Sequence, residues 1–200
     1  MLYDFYRASL NKGERMNLKR LALILIFLFA CALSVSAQEA KCSMKLADLP
    51  SIQEMRGFHT GMTIDEIKAR LPNVRLGPAD EFGFTALNIF PDYEKGIDKA
   101  AFAGVRSISL EFMDGRVSSV WIGYDKTFKW QELEEFEKEM TAALKLPNAW
   151  RIKFRTRLIN CADFTVAIIP VGESPSLKIN DETARELLEK RKAAKEESQP

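Results

Sequence analysis

Asp114-Gly115 stands between two runs, Val105–Met113 and Arg116–Tyr124, in which apolar and polar residues alternate. Alternation at a period of two marks a strand with one buried face, and Asp-Gly supplies the positive φ that both central positions of a type I′ turn require. The middle of the chain is therefore committed to an antiparallel ribbon. A two-residue turn sets Met113 opposite Arg116 and, carried outward, places Ile108, Leu110 and Phe112 opposite Trp121, Ser119 and Val117. That face is expected to be the core side. Val120, Ile122 and Tyr124 are then expected on the other face.

The elements around this ribbon follow from local chemistry. Thr63 and Glu66 have capping-box spacing, with Met62 and Ile67 at the staple positions, and Pro72 closes the short helix that begins there. Residues 127–145 predict a longer helix, since Leu133, Phe136, Met140, Ala143 and Leu144 share one face and Pro147 ends it. Strands are expected at 84–90, 150–159, 163–170 and 176–179. A last helix starts near Asp181, capped by Asn180 or Asp181, and its apolar stripe runs out by Arg191. Helix, three strands, helix, two or three strands, helix is an α+β order: an antiparallel sheet with helices packed on one face, a two-layer sandwich. Each strand group follows a helix, as two copies of one unit would, although no residue-level repeat is visible.

The N-terminus carries a different signal. Lys19 and Arg20 precede residues 21–33, a run with no charge and no hydroxyl, and Ser34-Val35-Ser36-Ala37 follows. This is the order of a secretory signal, with cleavage after Ala37; Met16 is the more conventional start. Two alternatives stay open. Leu28-Phe29-Ala30-Cys31 approximates a lipobox, which would make Cys31 a lipidated N-terminus. Retention as an anchor is the other, for which the run is shorter than the roughly 20 residues of a spanning helix. The organisation read from the chain is an extension and signal at 1–37, one domain at 38–190 and a charged tail at 191–200. Its location is exported, periplasmic or secreted, or membrane-anchored, and it touches a membrane only through the N-terminal segment if that segment is uncleaved or lipidated.

Export gives the cysteines their meaning. Without the leader only Cys42 and Cys161 remain, an even pair in a compartment where disulfides persist, so a structural bridge is expected. Net charge points the same way as the leader. The chain as a whole is +1, but residues 1–37 hold five cations against two anions, so the domain itself is slightly acidic. Nucleic acid is excluded as a partner on that ground.

Arg56-Gly57-x-x-x-Gly61-Met62-Thr63-x-x-Glu66-Ile67 resembles the opening of the small α+β domain of outer-membrane assembly lipoproteins of the SmpA/OmlA type and of β-lactamase-inhibitor-like proteins. The resemblance covers about a dozen residues. It implies Gly61, Met62, Thr63 and Glu66 as markers of the fold, as Asp114 and Gly115 mark the hairpin, and it implies a binder, with no catalytic residue carried over. The poor lipobox, greater length and long second helix depart from that lipoprotein family.

The chain contains no nucleophile elbow, Walker loop, dinucleotide fingerprint or His-Glu-x-x-His, and a single histidine, His59. No cofactor or metal is expected. His59 is read as a packed or surface residue, and carboxylates are plentiful, so that a pair such as Asp80 and Glu81 could in principle support acid/base chemistry, with nothing to set it apart from solvated surface. One segment stands apart. Read as a single strand, 150–158 sends Arg151, Lys153, Arg155 and Arg157 to one face and Trp150, Ile152, Phe154 and Leu158 to the other. Such a row is either a solvated face paired with carboxylates such as Glu111, or a docking face for an anionic partner with Tyr124 beside it. The expected function is an exported envelope binding or assembly-accessory protein whose partner is an envelope protein, an anionic polymer or a lipid headgroup. A secreted enzyme inhibitor, or a hydrolase with an unrecognised carboxylate site, is the alternative.

Overall fold

The computed structural model describes residues 41–198; the signal-like run, Cys31 and the cleavage alternatives lie outside them. Within that span the turn chemistry at 114–115 is realised. Asp114 has φ 50° and Gly115 φ 77°, joining β2 (Val105–Met113) to β3 (Arg116–Tyr124) with Met113 opposite Arg116. The register then changes: Phe112 faces Val117, but Glu111 faces Ser119. Ser118 is an extra residue on β3, and its hydroxyl donates to the Glu111 carbonyl at 3.2 Å.

This bulge corrects the expected faces. Val117 and Val120 lie three residues apart and cannot share one side of a regular strand; one inserted residue brings both inside. Val120, Ile122 and Tyr124 are buried, fully closed from solvent, in the core with Ile108 and Leu110. Trp121 moves to the opposite, polar side.

The segment ahead of the first helix, α1 (Ile64–Arg70), is pinned to the start of β3. Gly61 N–H donates to the Val117 carbonyl (2.7 Å) and Val117 N–H to the Met62 carbonyl (2.8 Å). Gly61 has φ 85°, a conformation that costs a residue with a Cβ. Thr63 Oγ1 accepts from Glu66 N–H (3.3 Å), and Thr63 N–H donates to the Glu66 carboxylate (2.7 Å). That bond to Thr63 N–H, more than any charge nearby, holds the Glu66 carboxyl below its ordinary range.

With β1 (Phe84–Ile89), β4 (Arg151–Lys153), β5 (Thr156–Asn160), β6 (Phe164–Ile168) and β7 (Ser176–Asp181), the strands make one antiparallel sheet in the order β1-β2-β3-β7-β6-β5-β4. Each half is a meander, and the two join along β3 and β7, where Val120 faces Ile179. With α1, α2 (Leu133–Ala143) and α3 (Glu182–Ser198), the described residues form a mixed α/β fold.

The helix expected from residue 127 begins only at Leu133. Asp125 Oδ1 accepts from Thr127 N–H (2.7 Å) and from its hydroxyl (2.6 Å), and the Gln131 amide donates to the Phe128 carbonyl (2.6 Å). These bonds hold the approach as a loop that packs Phe128 on Tyr124, with ring centroids 4.0 Å apart. The last helix runs on to Ser198, through most of the charged tail expected at 191–200. Asp181 Oδ1 caps its start at Ala184 N–H (3.1 Å). Its far end is tied down by Arg191, which grips both Asp114 oxygens at 2.8 Å and the Phe82 carbonyl at 2.7 Å, and by Lys195 against Glu81.

Cys42 and Cys161 are disulfide-bonded across a sequence separation of 119. Two hydrogen bonds flank the bridge, from Ala162 N–H to the Met44 carbonyl (3.1 Å) and from Leu46 N–H to Asp163 Oδ1 (2.7 Å). The start of the described chain is thereby stapled to the β5–β6 turn.

Candidate docking site

The single basic strand expected at 150–159 is two strands. β4 and β5 form an antiparallel hairpin in which Arg151 faces Leu158, Ile152 faces Arg157 and Lys153 faces Thr156. Phe154 and Arg155 make the two-residue turn, with Phe154 at φ 56° and Arg155 outside the left-handed region. That is the II′ pattern, whose first central position ordinarily takes glycine. No residue in the segment favours positive φ, so nothing in the sequence marks the turn.

The break divides the four cations. Arg157, only 13% exposed, turns toward α2, with Nη2 2.9 Å from Glu134 and Nε 3.0 Å from Glu137. It is a fold contact and leaves the candidate site. Arg151 and Lys153 point to the opposite side of the sheet, and Arg155 sits at the tip. All three are exposed, and Lys153 and Arg155 have no ion pair among the described residues. Tyr124 also leaves the candidate surface: it is buried, and its hydroxyl donates to the Glu54 carbonyl at 3.2 Å.

Two apolar side chains take their place. Phe154 is 92% exposed and Ile152 65%. The reading of the segment as one strand put both on an inward face; the turn carries them out.

Other groups are engaged in holding the fold together. On the polar sheet face Lys178 pairs with Glu111 (3.3 Å) and lies 5.8 Å from the Trp121 ring. Glu111 therefore serves β7 and not the basic hairpin. Ser119, Asn180, Thr165 and Glu182 form a continuous hydrogen-bonded chain across the same face, each link 2.9–3.0 Å. Asp80 Oδ1 accepts from the N–H groups of Phe82 (2.9 Å) and Phe84 (2.8 Å), which makes it a turn cap, and Glu81 pairs with Lys195.

Comparison of the chain with family models, curated proteins and solved structures finds no match.

A cleft of about 460 Å³ opens between the loop containing Pro50 and the sheet end, where Asp163 and Asp181 meet apolar side chains such as Leu49, Phe58 and Ile179. Each carboxylate already holds a backbone N–H, Asp163 that of Leu46 and Asp181 that of Ala184. His59, on the same rim, is exposed, with Nδ1 2.8 Å from the Thr60 carbonyl oxygen. Among the described residues no three metal-ligating side chains gather, and no helix is long and apolar enough to cross a membrane.

Proposed function

We propose that the protein is an exported binding module of the cell envelope that engages an anionic partner through the β4–β5 hairpin. The observation that carries this reading is the pairing of exposed cations with exposed apolar side chains on one short hairpin: Lys153 and Arg155 flank Phe154, with Arg151 and Ile152 beside them. Lys178, Arg157 and Arg191, by contrast, are each matched by a carboxylate. Lys153 and Arg155, which have no ion pair among the described residues, suit phosphate or carboxylate groups on a partner. In this reading α1 and α2 cover the apolar face, α3 lies against the polar one, and the hairpin is left at the sheet edge. The likeness of residues 56–67 to domains that bind supports the same reading.

Retention on phosphocellulose tests it. The wild-type protein is expected to be held at physiological ionic strength despite a slightly acidic domain, and Lys153→Glu with Arg155→Glu to flow through with an unchanged melting temperature. Equal retention of the two proteins removes the proposal.

A further inference from the structure

Resting on the hairpin as the docking element, we infer that its partner is an anionic lipid bilayer, into whose interface Phe154 inserts while Lys153 and Arg155 meet the headgroup phosphates. Charge complementarity alone suits any polyanion; the apolar component selects a surface with an oily interior. Phe154 is the most exposed large hydrophobic side chain among the described residues, at 92%. It also occupies the turn position where φ is 56° and glycine is the ordinary occupant. A bulky residue in the left-handed region strains the backbone, and a phenyl ring in water gains nothing from folding. Fold stability therefore does not explain the residue, whereas transfer of that ring into a membrane interface does.

The rest of the sheet supports the geometry. Antiparallel register puts the end of β1, the start of β2, the β4–β5 turn and the β6–β7 loop at one end of the sheet. Phe90, Tyr93 and Val171, three more of the exposed large hydrophobics, lie in the loops at that end. Six strand intervals of about 4.8 Å separate β1 from β4, about 29 Å measured along the twisted sheet. Glu173 lies on the β6–β7 loop at this rim, and Asp92 and Glu94 lie on the β1–β2 connection at the same end. Long cationic stems with an aromatic ring between them match the polar-to-apolar gradient of a headgroup region.

Flotation with vesicles decides the matter, using the processed chain recovered from cells so that any contribution of its N-terminus is common to all variants. The wild type is expected to float with vesicles of phosphatidylglycerol and phosphatidylcholine in equal parts and not with pure phosphatidylcholine. Phe154→Gly is expected to melt no lower than wild type, because glycine relieves the turn, yet to lose about tenfold in vesicle partitioning. Lys153→Glu with Arg155→Glu is expected to lose about thirtyfold or more, and Glu173→Lys to gain. A folded Phe154→Gly variant that binds vesicles as wild type does overturns the inference. So does a wild type that ignores anionic vesicles while phosphocellulose still retains it through Lys153 and Arg155; in that case the docking reading survives and its partner is a soluble or polymeric anion. Failure on both supports overturns both.

Discussion

Tyr124 shows how far one residue's role depends on a register set elsewhere. Its ring lies against Phe128 and 5.4 Å from Phe136, and its hydroxyl donates to the Glu54 carbonyl. Glu54 is itself buried, its carboxylate 2.8 Å from the Lys129 ammonium, which stands 3.9 Å from the Trp130 ring. Burial first, and the Glu54 charge second, push the phenol far above its ordinary value, and Arg56 partly offsets them. The native state thus keeps a proton that the unfolded chain gives up near pH 10. Its contribution is complete below that value and declines as pH rises above it. Tyr124→Phe is expected to cost about 1–2 kcal/mol at neutral pH, since the Glu54 carbonyl loses its donor, and to flatten the decline of stability above about pH 10. Urea melts of both proteins across the alkaline range check both effects. Sequence alone put Tyr124 on a solvent face, because alternation counts residues and has no means of seeing an insertion opposite Glu111.

At the scale of elements, what was legible is what depends on neighbours in sequence. Asp114-Gly115 and Thr63 with Glu66 settle their turn and cap by their own chemistry, and both occur where expected. The misread elements depend on partners far along the chain. Ser118 bulges because Val117 and Val120 both have core to fill, and the segment at 150–159 bends because β5 is claimed by β6 while Arg157 is claimed by α2. Deleting Ser118 tests the first of these. Without the extra residue, Val120, Ile122 and Tyr124 return to the polar face, and each lost burial costs about 1.5–3 kcal/mol. The sum is comparable to the entire stability of about 5–15 kcal/mol for a domain, so the deletion variant is expected not to fold. Ser118→Ala keeps the count and loses only the bond to Glu111, about 1 kcal/mol. Circular dichroism melts of the two variants separate residue count from hydroxyl chemistry; a deletion variant that melts like wild type disproves the role of the bulge.

For the whole molecule the consequential join is between the two meanders. β3 and β7 pair over five residues from each strand, Ser119 to Gly123 against Ser176 to Asn180. Around that seam, Phe136 of the second half packs on Tyr124 of the first, Arg191 grips Asp114, and the Cys42–Cys161 bridge ties one half to the other covalently. The connection between the halves, at Lys126 and Thr127, is exposed. A specific-protease site placed after Lys126 therefore cuts the backbone without touching the seam. The nicked protein is expected to keep its circular dichroism and to run as one species on a non-reducing gel. Reduction then removes the one covalent link left between the two halves, so folding becomes bimolecular and the melting temperature rises with protein concentration. In the uncut protein the same reduction lowers the melting temperature but leaves it independent of concentration. Nicked halves that separate under native conditions as soon as the disulfide is reduced would show that the β3–β7 seam does not hold the sheet together by itself.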